Sequence, residues 1–274
     1  MKSEFKAEIL HLVPIMASLM FGVFCAYLLL TSQIELYGVA PFPEGTVGSL
    51  GNALYFVILV GVGASLLYLI LKQKNHRLIG VITGFALTVA VFMLSTIYLF
   101  AASLGFAAPN TEMLILVIAS FITILADIAI FRLHSKVSDV VVLGLGGALG
   151  TFLGASIPTL SAVLILGFLA VYDTFAVYHG PVGKIAHSGL EQLKGLSFSF
   201  RDIQMGLGDL TFYSMLSGHM FIYFGLISCL ASILGILSGC FLAFKMLERK
   251  GMFPGLPFPI AFGLAASFIA FSVV

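Results

Sequence analysis

Two carboxylic acids sit inside runs that are otherwise apolar. Asp173 lies in Leu169-Ala170-Val171-Tyr172-Asp173-Thr174, and Asp209 closes Gly206-Leu207-Gly208-Asp209. An ionised carboxylate costs several kcal/mol to hold in hydrocarbon, so acids at such positions suggest function. Two close carboxyls cannot both ionise cheaply, so the pair titrates as a unit and holds a proton between its members. The ionised member can take a proton from a water while the protonated member donates to a carbonyl oxygen. That yields a tetrahedral gem-diol without a metal or a covalent intermediate. The same pair could equally serve as a proton or cation relay. From the two residues alone, hydrolysis and relay stand level.

The elements that must position these acids are membrane helices. The chain is 60% hydrophobic and 9% charged over 274 residues, far less charged than a soluble domain. Its apolar runs are continuous and mostly reach the roughly 20 residues of a spanning helix, which argues against the short alternating segments of a β-barrel. The predicted fold is all-α, a polytopic membrane protein with nine spans at 9–31, 50–71, 78–103, 113–131, 137–156, 158–178, 206–222, 225–244 and 254–274. The first is read as a retained helix, because no small-residue cleavage site follows it closely. Charge supports the count. All 13 Lys and Arg, from Lys2 and Lys6 to Arg249 and Lys250, fall on one side under nine spans, which places the N-terminus in the cytoplasm and the C-terminus outside. Merging 137–178 into one helix would break that pattern, so a break is expected at Ser156-Ile157-Pro158. Asp173 then lies about six residues from the cytoplasmic end of span six, roughly 9 Å deep, and Asp209 lies just inside span seven at matching depth. If the two helices are neighbours, the carboxyls can face each other.

One integral membrane domain is expected, in a six-span part (1–178), a polar cytoplasmic loop (179–205) and a three-span part (206–274). The loop carries Gly180-Pro181, Lys184, Glu191, Lys194, Arg201 and Asp202, and is long enough to be mobile. A net charge of +1 gives no reason to invoke nucleic acid. Cys25, Cys229 and Cys240 all fall inside spans, are odd in number and read as small apolar core residues. The sequence holds no His-Glu-x-x-His, and neither a metal nor a cofactor is implied. Gly146, Gly150 and Gly154 repeat at four-residue spacing, which suits close helix packing, with a substrate groove or an oligomer seam as the alternative.

Two further features bear on the acids. Gly206 and Gly208 flank Leu207 directly before Asp209, removing bulk where backbone must approach another helix or a substrate. Pro254-Gly255-Leu256-Pro257 opens the ninth span on the same side, and its two prolines leave backbone groups free near the helix start. Broken backbone at membrane depth is tolerated where it lines a wet cavity.

Tyr172-Asp173, Gly206-Leu207-Gly208-Asp209 and Pro254-Gly255-Leu256, in that order and in spans six, seven and nine, resemble the presenilin and signal peptide peptidase family of GxGD intramembrane aspartyl proteases. The family pattern is Tyr-Asp, Gly-x-Gly-Asp and Pro-Ala-Leu. The resemblance implies that Asp173 and Asp209 are the catalytic pair. It also implies that Tyr172, Gly206, Leu207, Gly208 and Pro254 to Pro257 shape the site and hold an extended substrate. Gly255 departs from the usual alanine, which keeps the backbone contacts and loosens the turn. A cytoplasmic N-terminus matches the presenilin branch, so the expected substrates are single-span proteins with an external N-terminus, cut within the bilayer. The compact chain looks like the microbial presenilin-like proteases, expected in the cell membrane without obligate partner subunits. Prepilin peptidases share a GxGD aspartate but differ in span count and lack the proline motif. The alternative outside this class is a proton- or cation-coupled transporter.

Other polar residues take subsidiary readings. Tyr213 shares a helix face with Asp209, where it either hydrogen-bonds a catalytic water or is a buried tyrosine with a carbonyl partner. Tyr172 points elsewhere and reads as packing. Asp127 is expected to snorkel or to pair with Arg132. His219 is about 15 Å along the helix from Asp209, too far to take part, and Ser217 does not face it.

Overall fold

The computed structural model describes residues 6–273, apart from 33, 35, 37, 74–75, 105–109, 134, 180–194 and 251. Lys2, Lys74 and most of the expected cytoplasmic loop, including Gly180, Pro181, Lys184, Glu191 and Lys194, therefore lie outside the described residues.

A 3₁₀ turn (Ile9–Leu12) leads into α1 (Val13–Ser32), followed by α2 (Thr46–Lys72), α3 (His76–Ser103), α4 (Thr111–Phe131), α5 (Ser135–Ser156) and α6 (Thr159–Tyr178). The expected break between the fifth and sixth runs is present. Helix α5 ends at Ser156 and α6 begins at Thr159, because Pro158 has no N–H to continue the ladder and pushes Ile157 out of helical geometry. Beyond α6 come β1 (Ser197–Phe200), β2 (Ile203–Gly206), α7 (Leu207–Lys250) and α8 (Pro257–Val273).

Three details differ from the sequence reading. The all-α expectation is amended by a hairpin in which β1 and β2 pair antiparallel, Ser197 opposite Gly206 and Phe200 opposite Ile203. Alternation drives it, since Phe198, Ile203 and Met205 turn inward while Ser199 and Gln204 face out. Second, runs seven and eight are not joined by a loop. As the two expected runs imply, 207–250 holds two helical limbs, and they meet directly at Gly225, where φ is +84°, a conformation that costs glycine little. Asp209 and Tyr213 share a cavity with Cys240, Ala243 and Phe244, which a straight helix would place about 40 Å away. The chain therefore doubles back at Gly225. Third, the last helix starts at Pro257, and Pro254 to Leu256 precede it as non-helical backbone. Proline suits a first helical position, and the residue before it is barred from the α region.

Seven of these helices are long and apolar enough to cross a membrane, and α8 is a shorter apolar helix. The outward residues are apolar too: Val81, Phe85 and Val171 are about 70% exposed, as expected where hydrocarbon is the solvent. The chain is thus a polytopic membrane protein by its own surface.

Glycine governs the packing beside the acids. A Cβ on Gly146 would stand 2.7 Å from the Leu210 Cβ, one on Gly154 would stand 2.5 Å from the Met215 carbonyl, and one on Gly150 would run into the Thr211 carbonyl. The stripe therefore seats α5 on the first limb of α7, which settles its packing role. On the other side of that hairpin, Gly239 lets the second limb approach Phe258 and Pro259 of α8. Helices α2 and α6 are joined by a buried polar chain in which Asn52 donates to Ser161 and Ser161 to Ser49, each at 3.0 Å. The three cysteines are buried and unpaired in disulfides.

Candidate active site

Asp173 lies near the end of α6 and Asp209 in the first turn of α7, each half-buried. They do not meet through broad packing of their two helices. The Pro254 to Leu256 segment fills the space between them. The Leu256 N–H donates to Asp173 Oδ2 at 3.0 Å. On the other side, the Gly255 α-carbon abuts Asp209 so closely that an added Cβ would stand 2.8 Å from Oδ2 and 3.1 Å from Cγ. One dipeptide thus touches both carboxyls, and standard backbone dimensions hold them within about 9 Å of one another.

The expectation that proline would free backbone groups here is realised in a specific way. The Leu256 carbonyl begins the α8 ladder by accepting from Ile260 N–H at 3.0 Å, while the Leu256 N–H, outside that ladder, goes to Asp173. Pro254 and Leu256 are buried, and Gly255 and Pro257 are half-buried. Glycine at 255 does more than loosen a turn, because it makes room for the Asp209 carboxyl.

Tyr213 occupies the same cluster. Its ring is 1% exposed and its hydroxyl donates to the Gly255 carbonyl at 2.8 Å. Of the two readings left open for this residue, the structure selects the buried tyrosine with a carbonyl partner. A cavity of about 80 Å³ separates β2 from the 253–255 segment, with Gln204, Met205, Asp209, Tyr213 and Cys240 on its walls. It is small and mixed in lining, with the Asp209 carboxyl among otherwise largely apolar walls. A far larger cavity of about 800 Å³ lies among Phe24, Val91, Leu125 and Leu145, is apolar and includes neither aspartate.

Some expected site residues stand apart. The Tyr172 hydroxyl faces α2, where a Cβ on Gly61 would be 3.3 Å from it, so this ring packs outward from the pair. Gly206 ends β2 and Gly208 is the second residue of α7, and among the described residues no neighbouring element approaches them. A Cβ on either would meet nothing nearer than 3.9 Å. Of the two uses foreseen for these glycines, close helix approach is made by none of the described elements. Leu207 turns inward, and its N–H donates to the Leu196 carbonyl at 2.8 Å, prolonging the hairpin ladder.

The remaining polar residues serve the scaffold. Asp127 accepts from Thr88 of α3 at 2.9 Å, which corrects the expected pairing with Arg132. Among the described residues the ion pair is Arg201 with Glu8 at 2.7 Å. Threonine is the better partner at this depth, because a hydroxyl carries no charge to desolvate. His219 shares hydrogen bonds with the Gly154 carbonyl at 2.7 Å and Thr159 Oγ1 at 3.1 Å, far from Asp209. Ser217 Oγ donates to the Ser214 carbonyl, so no serine–histidine dyad forms. Among the described residues no group of His, Cys, Asp and Glu is arranged to hold a metal ion.

The hairpin was the feature missed. Its signal was present in Phe198, Phe200, Ile203 and Met205 alternating with polar residues across Arg201-Asp202.

Comparison with known proteins bears on the fold. No family model matches the chain, and no curated protein matches it. Solved structures do. A presenilin family intramembrane aspartate protease in space group C222 superposes with a TM-score of 0.69 at 18% identity, over 96% of this chain and 99% of that one. One in space group P2 gives 0.68 at 20% identity, over 96% and 98%. At such identity the likeness is one of architecture, and over nearly its whole length this chain has the fold of the presenilin family intramembrane aspartate proteases.

Proposed function

We propose that the chain is an intramembrane aspartyl endopeptidase of the presenilin type, with Asp173 and Asp209 as its catalytic pair. The observation that carries this reading is that carboxyls from two separate, otherwise apolar membrane helices flank one dipeptide, Gly255-Leu256, beside a small cavity that Asp209 lines. In the reaction one carboxylate takes a proton from water, and the resulting hydroxide oxygen bonds to the scissile carbonyl carbon. The other carboxyl gives its proton to the carbonyl oxygen. The gem-diol then collapses as the C–N bond breaks and the departing amine takes up a proton, which leaves an acid and an amine. Neither metal nor cofactor enters.

A helical peptide bond is shielded by its own backbone, so the substrate helix must unwind, and its freed N–H and C=O groups need partners in hydrocarbon. Two candidates lie on either side of the small cavity. One is the edge of β2 not paired with β1, and the other is the segment from Phe253 to Leu256. An extended substrate strand added to β2 would satisfy its backbone as β-augmentation does and carry a peptide bond past Asp209. Gly206 and Gly208, which no described residue crowds, leave room for that strand.

In the bilayer the α7 hairpin and α8 complete nine crossings, with the N-terminus cytoplasmic and the C-terminus external, in a multi-pass protein of the cell membrane. Transmembrane proteins are its substrates, and no partner subunit is required. The test is reconstitution in liposomes with a single-span reporter, beside Asp173→Ala and Asp209→Ala. Cleavage by the parent chain and by neither variant is the expected result. Cleavage retained in either variant removes that residue from catalysis, and proton or cation flux without cleavage would install the transporter reading in its place.

A further inference from the structure

The Gly255–Leu256 peptide group is held at both ends. Its carbonyl accepts from the Tyr213 hydroxyl at 2.8 Å, and its N–H donates to Asp173 Oδ2 at 3.0 Å. A trans peptide is planar, with C=O and N–H pointing in opposite directions. One rigid plane therefore reaches from a tyrosine on the Asp209 helix to the aspartate on the other helix. Tyr213 stands one turn beyond Asp209, on the same face of α7. Any shift of Asp209 along α7 is thus carried through Tyr213 to the peptide plane and on to Asp173.

We propose that Tyr213 is a positioning residue for the aspartate pair, setting the register of Asp173 against Asp209 through the Gly255–Leu256 peptide plane. The proposal rests on the protease reading for its kinetic consequence and on geometry alone for its structural one. The phenol itself touches neither reacting group. Its effect is exerted in two ways. Donation to the carbonyl polarises the peptide and strengthens the opposite N–H donor, as hydrogen bonds in a chain do. The same bond also fixes the height of a segment that the α8 ladder holds only from Leu256 onward. The ring is fully buried and fills its site by shape, so Tyr213→Phe removes the hydroxyl's bond to Gly255 and its contact with the Cys240 thiol while keeping the packing.

The test uses the full chain in liposomes, labelled with [4-¹³C]aspartate, with isotope-edited infrared spectra taken for the parent and for Tyr213→Phe. Subtracting the Asp173→Asn spectrum assigns the Asp173 band among the five aspartates. The expected result is a displaced Asp173 band together with turnover of a single-span reporter reduced about tenfold at unchanged KM, the effect of one buried hydrogen bond. An Asp173 band identical to the parent's overturns the proposal, whatever happens to turnover, and so does a displaced band with parental turnover. If the parent does not cleave the reporter, the protease reading falls, and the band alone still decides whether Tyr213 holds Asp173. If Tyr213→Phe fails to fold, a fluorinated tyrosine at 213 keeps the shape and strengthens the donor. It must then move the Asp173 band, and an unmoved band overturns the proposal.

Discussion

Replacing Gly255 by alanine would install the residue usual in the family that this sequence resembles, yet the geometry predicts that it harms this protein. An alanine Cβ at 255 would stand 2.8 Å from Asp209 Oδ2, 3.1 Å from Cγ and 3.3 Å from Oδ1. Non-bonded carbon contacts settle near 3.5–4.0 Å, so the overlap is roughly half an ångström. Asp209 is a short side chain in the first turn of α7 and has little reach with which to yield. If the 254–256 segment yields instead, the bonds from Tyr213 to the Gly255 carbonyl and from the Leu256 N–H to Asp173 lengthen together. A misplacement of about 1 Å can cost a hundredfold in rate, so half of that corresponds to about tenfold, near 1.4 kcal/mol of barrier. The assay is turnover of a single-span reporter in liposomes, with the melting temperature measured alongside to show that the fold survives. Reasoning from residue type alone gives the opposite sign, because alanine stiffens a turn that glycine loosens. Gly255→Ala turning over as fast as the parent, or faster, would refute the steric argument and show that Asp209 has room this geometry denies it.

Three further outcomes follow from the scaffold. Gly150→Leu should destabilise the chain by at least the 1–3 kcal/mol typical of overpacking, because its side chain meets the Thr211 backbone, and a thermal unfolding curve in detergent reads this directly. Asn52→Ala removes the donor to Ser161 and the partner of the Phe42 amide, and should lower stability by about 1–3 kcal/mol with turnover little changed. Arg201→Ala breaks an ion pair whose side chains are 45% and 52% exposed. Its effect on melting should stay under about 1 kcal/mol and vanish in high salt.

The sequence revealed the parts of this fold that rest on local chemistry. The break before Pro158 follows from a missing N–H, the stripe Gly146, Gly150, Gly154 from spacing, and the positions of Asp173 near the end of one helix and Asp209 at the start of another from hydropathy. Long-range pairing was less legible. The hairpin stayed hidden because Arg201 and Asp202 made its segment read as polar loop, although Phe198 and Met205 alternate inward. The Gly225 reversal was foreseen as a boundary between runs, but glycine is common here and only the backbone angle distinguishes this one. Tyr213 could be placed on the face of Asp209 by counting, whereas its partner lies 42 residues further along the chain.

That pattern bears on why the acids need three elements rather than two. Helix α6 brings Asp173 and α7 brings Asp209, but these two helices pack little against each other, and the Pro254 to Leu256 segment lies between their carboxyls. Backbone fills this space with little bulk and still supplies a donor to a buried carboxyl. Pro257 starts α8 late enough to leave Leu256 outside the helix, and Gly255 brings the chain against Asp209 without a Cβ. The donor for Asp173 is then a main-chain N–H, which no side-chain substitution other than proline can delete. By this reasoning Leu256→Pro, which removes that N–H at a position already outside the helix, should abolish turnover as completely as loss of an aspartate. Its carbonyl bond to Ile260 survives in either variant and its remaining contacts are side-chain packing, so Leu256→Ala, which keeps the N–H, should retain measurable cleavage. Equal loss in both variants would mean that the leucine side chain, and not the backbone donor, is what the site requires.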